Sequence, residues 1–181
     1  MRVIAGSAKG TRLAAVPAGT RPVSDRAREG LFSSLGQAVV EARVVDLFAG
    51  TGSLGIEALS RGAASALFVD SAPAAVKVIG ENLRRARLAG RGTVRRQDVR
   101  ALLRQKIGQF DVAFLDPPYA TPEADVSRIL DELAGQGVVA SSGRVILTRS
   151  SRNDTFVIPL HWSTERRLSY GDSIIYVIRA A

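Results

Sequence analysis

From Arg43 onward, apolar runs and amphipathic stretches alternate along the chain. Val44–Phe48, Ala66–Asp70, Thr93–Arg96, Phe110–Leu115 and Arg144–Arg149 read as strands. Between them, Leu54–Ser60, Ala74–Ala86, a short stretch near Val99–Gln105 and Glu123–Leu133 read as helices. The strands are near-continuous apolar runs, as expected for strands covered on both faces. This alternation predicts a mostly parallel sheet flanked by helices. The end of the chain departs from it. Glu165–Ser169 and Ser173–Arg179 are joined only by Tyr170-Gly171-Asp172, a short glycine-containing link that predicts an antiparallel hairpin. Before Arg43 the pattern differs again. Arg2–Ala5 and Thr11–Ala15 read as two short strands around the glycine-bounded turn Gly6–Gly10. Pro17, Gly19 and Pro22 then break regular structure, and Ser24 is placed to cap a helix from Asp25 to about Leu35. Ala27, Leu31, Phe32 and Leu35 would form its apolar face. The expected organisation is α/β: residues 1–36 as a basic hairpin-and-helix extension, and 37–181 as the main, seven-stranded domain.

Composition narrows the setting. A chain of 181 residues, 46% of them hydrophobic, fits one domain with a real core. No apolar run is long enough to cross a bilayer. Met1–Val16 lacks the continuous hydrophobic stretch of a secretory signal, so a cytoplasmic protein is expected. The absence of cysteine excludes disulfides, thiolate metal sites and cysteine nucleophiles. His161 is the only histidine and no carboxylate cluster surrounds it in sequence, so no metal is expected. Trp162 beside it reads as packing under the sheet.

The formal charge of +8 says more, because it is unevenly placed. Residues 1–30 carry six Lys or Arg against two acids, a net of +4. Residues 84–106 carry nine against one, a net of +8. Concentration into two segments suits a nucleic-acid surface, although arginine-rich helices can also be plain solvated faces. In the first segment the candidate RNA contacts are Arg2, Lys9, Arg12, Arg21, Arg26 and Arg28.

After the first strand of the main domain, Gly50, Gly52 and Gly55 satisfy G-x-G-x-x-G in a strand–turn–helix context. Such a loop lets a ligand approach bare backbone but does not choose among nucleoside cofactors. Asp70 ends the next strand, where a carboxylate can accept from both ribose hydroxyls. Gln97-Asp98-Val99 ends the third strand, where an acceptor could meet an adenine amino group; Asp98 could equally cap the following helix. Asp46, just before the loop, attracts a cofactor carrying an amino group and a sulfonium and repels a pyrophosphate, which favours S-adenosylmethionine over a dinucleotide. The candidate cofactor contacts are Asp46, Phe48, Ala49, Gly50, Thr51, Gly52, Asp70, Ser71, Gln97, Asp98, Val99 and Asp116.

Asp116-Pro117-Pro118-Tyr119 follows the apolar strand ending at Leu115. At the carboxyl end of a strand it lands beside the glycine loop. Two prolines stiffen the turn and leave its carbonyls without competing N–H groups. An exocyclic amine can donate one N–H to the Asp116 carboxylate and the other to the Pro117 carbonyl, while Tyr119 stacks on the base. These bonds draw the nitrogen lone pair out of the ring and aim it at an electrophilic methyl. Such positioning supplies roughly 7–11 kcal/mol of barrier reduction. Asp116, Pro117 and Tyr119 are the expected catalytic residues, and the bland alternative is a rigid loop.

Taken together, these runs resemble bacterial ribosomal RNA guanine-N2-methyltransferases of the RsmD type over nearly the whole length. The resemblance rests on Arg2–Gly6, Arg21–Glu29, Asp46–Ala63, Phe114–Tyr119 and Tyr170–Asp172. It implies a Rossmann-like class I methyltransferase sheet with strand order 3-2-1-4-5-7-6 and an N-terminal hairpin arm. It also implies S-adenosylmethionine near Gly50, Asp70 and Asp98, a target guanine at Asp116 and Tyr119, and action on 16S RNA in an assembled or partly assembled 30S particle. Separately, a monomer is expected. Val23 stands where the family often has Thr, Ser33 where it often has Asn, and Thr148-Arg149 where many members carry an acid. Other readings are a DNA adenine-N6 or protein glutamine methyltransferase, which share Asp-Pro-Pro-Tyr, an NAD-dependent oxidoreductase, and a non-catalytic RNA-binding factor.

Overall fold

The computed structural model describes residues 1–17, 22–152 and 155–181. Seven strands form one sheet: β1 (Arg43–Leu47), β2 (Ser65–Asp70), β3 (Gly92–Arg96), β4 (Phe110–Leu115), β5 (Val139–Ser150), β6 (Ser163–Tyr170) and β7 (Ser173–Arg179). Their order is β3-β2-β1-β4-β5-β7-β6, the order implied by the resemblance. β1 to β5 are mutually parallel, and β7 runs antiparallel to both β5 and β6. The helices are α1 (Asp25–Leu35), α2 (Ser53–Ser60), α3 (Pro73–Arg85), α4 (Val99–Leu103) and α5 (Glu123–Gly135).

The two-residue period of a strand divides the core into two layers. Val44, Val112 and Phe114 face one cluster with the apolar sides of α1, α2 and α3. Val45, Ala113 and Leu115 face the other with α4 and α5. Both faces are therefore covered, which explains why the strand sequences lack clean alternation. β5 begins five residues before the expected Arg144. Its first part pairs Val139 with Phe110, and the register then shifts around Ser142, whose φ is 64°, and Gly143. That irregularity hides the extra strand length in a polar-looking stretch. Trp162 is half-buried against the second layer, as its apolar body suggested.

The N-terminal arm is a shorter form of the expected hairpin. Its limbs meet at the Arg2–Arg12 antiparallel bridge, with backbone bonds from Val3 N–H to Thr11, Gly10 N–H to Val3 and Leu13 N–H to Met1. Side chains of the main domain hold the backbone around its turn. The Glu57 carboxylate accepts from Ile4 N–H (2.8 Å) and Ala5 N–H (3.1 Å). The Ser60 hydroxyl donates to the Ala5 carbonyl (2.6 Å) and accepts from Ala8 N–H (2.9 Å). Gly6 lies so close to the Ser60 carbonyl that a Cβ there would collide with backbone. Val3, Ala8, Leu13 and the α1 residues Leu31 and Phe32 share one core with Phe68 and Phe114 of the sheet. Ser24 caps α1 as expected, its hydroxyl accepting from Ala27 N–H.

Candidate active site

β1 is flanked by β2 on one side and β4 on the other, so chain connections leave its carboxyl end in opposite directions. Ligands of open α/β sheets bind at such a switch point. Here a cavity of ≈ 530 Å³ opens, within the range of small-molecule sites. The glycine loop forms one wall. Its turn needs a positive φ at three alternate residues: Phe48 at 59°, Gly50 at 56° and Gly52 at 77°. Glycine adopts this conformation freely, whereas Phe48 is strained there, a feature that tends to mark functional sites. Gly52 caps α2 and packs against Ile56 and Ile79, behind the cavity wall.

Three carboxylates converge on the cavity: Asp46, Asp70 and Asp116. Asp46 is buried, and one oxygen accepts from Gly55 N–H at 2.9 Å. Burial pushes its pKa well above the usual range; the Gly55 bond opposes this, and the charges of Asp116 and Asp70 raise it further. Asp70 accepts from Gly50 N–H and from Ala72 N–H, both at 2.9 Å. Each of its oxygens retains a further lone pair for a ligand hydroxyl. Asp116 continues β4, with its N–H 3.4 Å from the Leu47 carbonyl. Burial lifts its carboxyl to about 7, against the Thr148 hydroxyl and the Arg149 guanidinium, which both hold it down. With Asp46 repelled by both neighbouring acids, and Asp46 and Asp116 raised, the site is one that a cation would stabilise.

The Asp-Pro-Pro-Tyr turn forms the opposite wall, with Asp116 through Ala120 all on the cavity. The Pro118 carbonyl closes the turn by accepting from Thr121 N–H at 2.8 Å. Among the described residues, no backbone N–H donates to the Pro117 carbonyl. Tyr119 is half-buried, and its hydroxyl lies 2.7 Å from the Ser173 hydroxyl. The far end of the turn is held from β5. Arg149, wholly buried, donates to the Thr121 carbonyl at 2.9 Å and pairs with Glu123 at the start of α5.

The structure thus brings together Asp46, Phe48, Ala49, Gly50, Thr51, Asp70, Ser71, Asp116, Pro117 and Tyr119 around one cavity. It does not bring Gln97, Asp98 and Val99 to that wall. Asp98 caps α4 by accepting from Ala101 N–H, and the Val99 side chain is buried in the core. They remain close along the sheet edge, where Gln97 N–H donates to the Asp70 carbonyl. One expectation is corrected. Arg28 is fully buried, with Nη2 2.7 Å from both the Arg2 carbonyl and Asp25, and Nη1 3.6 Å from Glu57. It ties the arm to α2 and cannot reach a phosphate. Arg2, Lys9, Arg12 and Arg26 are exposed, and Arg21 lies outside the described residues. His161 is exposed and far in sequence from every wall of the cavity.

Sequence reasoning missed several contributors. Pro22 brings the N-terminal segment to the cavity wall. Ser173, Thr148 and Arg149 act from β7 and β5, and no local pattern ties them to the Asp-Pro-Pro-Tyr turn. Buried Asn82 on α3 bonds both Ala14 of the arm and the Thr51 carbonyl of the glycine loop. A lone polar residue on an apolar helix face was the available signal.

The family described as conserved hypothetical protein 95 matches residues 1–179. The ribosomal RNA small subunit methyltransferase D of Escherichia coli K12 is 32% identical over 167 residues, covering 92% of this chain and 83% of that protein. Among solved structures, Escherichia coli yhhF superposes with a TM-score of 0.88 at 30% identity, over 99% of this chain and 97% of that one. An RNA methyltransferase from Salinibacter ruber, in complex with S-adenosyl-L-homocysteine, shares the fold with a TM-score of 0.68 at 18% identity, over 88% and 93% of the two chains.

Proposed function

The chain belongs to the conserved hypothetical protein 95 family, and on that premise we propose that it is an S-adenosylmethionine-dependent methyltransferase acting on the exocyclic N2 of a guanine in 16S ribosomal RNA. The observation that carries this reading is the meeting of the glycine loop and the Asp-Pro-Pro-Tyr turn across one carboxylate-lined cavity. The relative named as a small subunit RNA methyltransferase supports the substrate class. The substrate is a small-subunit particle, assembled or partly assembled, and the enzyme works in the cytoplasm as a monomer.

The donor set fits the cofactor. A cavity lined by three carboxyl groups, of which burial raises Asp46 and Asp116, suits a ligand bearing an ammonium and a sulfonium, and disfavours a pyrophosphate. Asp46 would face the amino-acid portion, Asp70 the ribose hydroxyls, and Gln97 to Val99 the adenine edge. When bound, S-adenosylmethionine supplies an electrophilic methyl on a positive sulfur.

The chain's own residues then act on the target base. The Asp116 carboxylate accepts one N–H of the guanine amine and the unencumbered Pro117 carbonyl accepts the other. Both bonds pull the nitrogen toward tetrahedral geometry and direct its lone pair into the cavity. Tyr119 offers its ring to the base face, held in place by Ser173. After transfer the nitrogen carries an extra proton, and Asp116, with a carboxyl near 7, is suited to take it.

The test is transfer of labelled methyl from S-adenosylmethionine to small subunits isolated from cells lacking the modification. Naked 16S RNA and large subunits serve as comparisons. Label confined to 16S RNA of the particle is expected. Cofactor binding without any label in RNA would remove the proposal.

A further inference from the structure

The second basic segment was expected only as a possible phosphate contact, and the cavity does not use it. All nine of its Lys and Arg residues, from Arg84 to Lys106, are exposed. They lie along the end of α3, the turn after it, edge strand β3, α4 and the residues just after α4. At one end, Arg96 pairs in register with Asp70, a wall of the cavity. At the other, Arg85 Nη1 lies 3.5 Å from the Arg12 carbonyl, and Arg12 is bridged to Arg2 in the arm. Two segments that are far apart in sequence therefore adjoin as a single cationic band. It runs from the arm, past the end of α3 and along β3, to the cavity rim.

Charged residues on an edge strand also discourage unwanted strand pairing, so exposure alone decides nothing. The opposite edge supplies the contrast. Beside β6, Arg144 of β5 and Arg179 of β7 share the Glu165 carboxylate, at 2.9 and 3.4 Å. Along β3, Arg84, Arg87, Arg95 and Arg96 have no carboxylate within ion-pair distance among the described residues. Protection of an edge needs charge but not unpaired charge. Arg95 and Arg96 project to opposite faces of this edge strand, so unpaired guanidinium groups flank both sides of an edge that leads to the cavity, which suits a phosphate backbone.

We propose that this band, from Arg84 and Arg87 through Arg95 and Arg96, binds the sugar–phosphate backbone of the ribosomal RNA flanking the target guanine. It would extend the contact made by the N-terminal arm into a track that ends at the active site. The proposal rests on the RNA-methyltransferase reading above. Its content is the place and number of phosphate contacts.

The experiment compares wild type with R84Q/R87Q, R95Q/R96Q and the fourfold variant. Affinity for small-subunit particles is measured against potassium chloride concentration, with cofactor affinity followed by calorimetry. Each lost phosphate contact lowers the log–log salt slope by about 0.7–0.9. The fourfold variant should lose about three units and each pair about half of that, with cofactor affinity unchanged. Arg-to-Lys replacements at the same positions should retain most of the slope. A slope unchanged in both pairs, in a wild type that methylates the particle, overturns the band and leaves the enzyme reading intact. A wild type that neither binds nor methylates the particle overturns both. Because each pair is tested alone, aggregation of the fourfold variant does not remove the answer.

Discussion

Replacing Asp116 by asparagine should stabilise the protein at alkaline pH while leaving it nearly unchanged in acid. The magnitude follows from the carboxyl at about 7 in the fold against 3.8 as its ordinary value. The difference is about three units, or about 4 kcal/mol at 1.36 kcal/mol per unit. Partial solvent contact makes that figure a ceiling, with about 3 kcal/mol expected. The sign is that of a raised acid. Between pH 4 and about 7 the folded state keeps a proton that the unfolded chain has released. Stability is therefore lost with rising pH across that window and levels off above it. Asparagine keeps the shape and cannot ionise, so it escapes the loss. It also relieves Asp46 of a like charge, which acts in the same direction. The assay is urea denaturation of cofactor-free wild type and D116N at pH 5 and pH 8. The stability gap in favour of D116N should widen by about 2–3 kcal/mol between the two, equivalent to roughly 4–12 °C in Tm for a domain of this size. A gap that stays constant with pH would refute the claim that burial strains this carboxylate.

The same electrostatics predict that S-adenosylmethionine binds up to about tenfold more tightly at pH 8 than at pH 6, because a cation favours the ionised acids, while neutral S-adenosylhomocysteine shows much less dependence by calorimetry. Ser173→Ala and Tyr119→Phe should each lower kcat about two- to tenfold, the worth of one neutral hydrogen bond, with little change in KM; the double variant should be no worse than either single one. Glu57→Gln should cost about 3–5 kcal/mol in urea denaturation, since it removes the buried charge that faces Arg28 and Arg61 and turns one of the arm's two carboxylate acceptors into a donor; a loss under about 1 kcal/mol would count against that anchoring.

The parallel sheet was legible because its strands carry local apolar runs and its helices amphipathic ones, and the cavity walls because glycine and proline act on their own backbone. Asp46, Asp70 and Asp116 were readable from their places at strand ends, which topology then brought together. What stayed hidden depends on contacts distant in sequence. Arg28 sits in a basic arm and reads as a phosphate ligand, yet its partner Glu57 lies on the next helix and buries it. The arm was legible as a hairpin because its sequence is strand-like, but nothing local shows that Glu57, Ser60 and Asn82 hold its outward-facing backbone groups. Arg149 reaches the catalytic turn through the β4–β5 pairing and Ser173 through the β5–β7 pairing, registers no local pattern specifies.

The most direct measurement is the identity of the methylated nucleoside. Small-subunit RNA from cells lacking this gene, from the same cells expressing the wild-type protein, and from cells expressing Asp116→Ala would be digested and resolved by mass spectrometry. One additional N2-methylguanosine per 16S molecule, present only with the wild-type protein, is the predicted result. N6-methyladenosine in its place, or N2-methylguanosine at equal levels with the Asp116→Ala protein, would contradict the account.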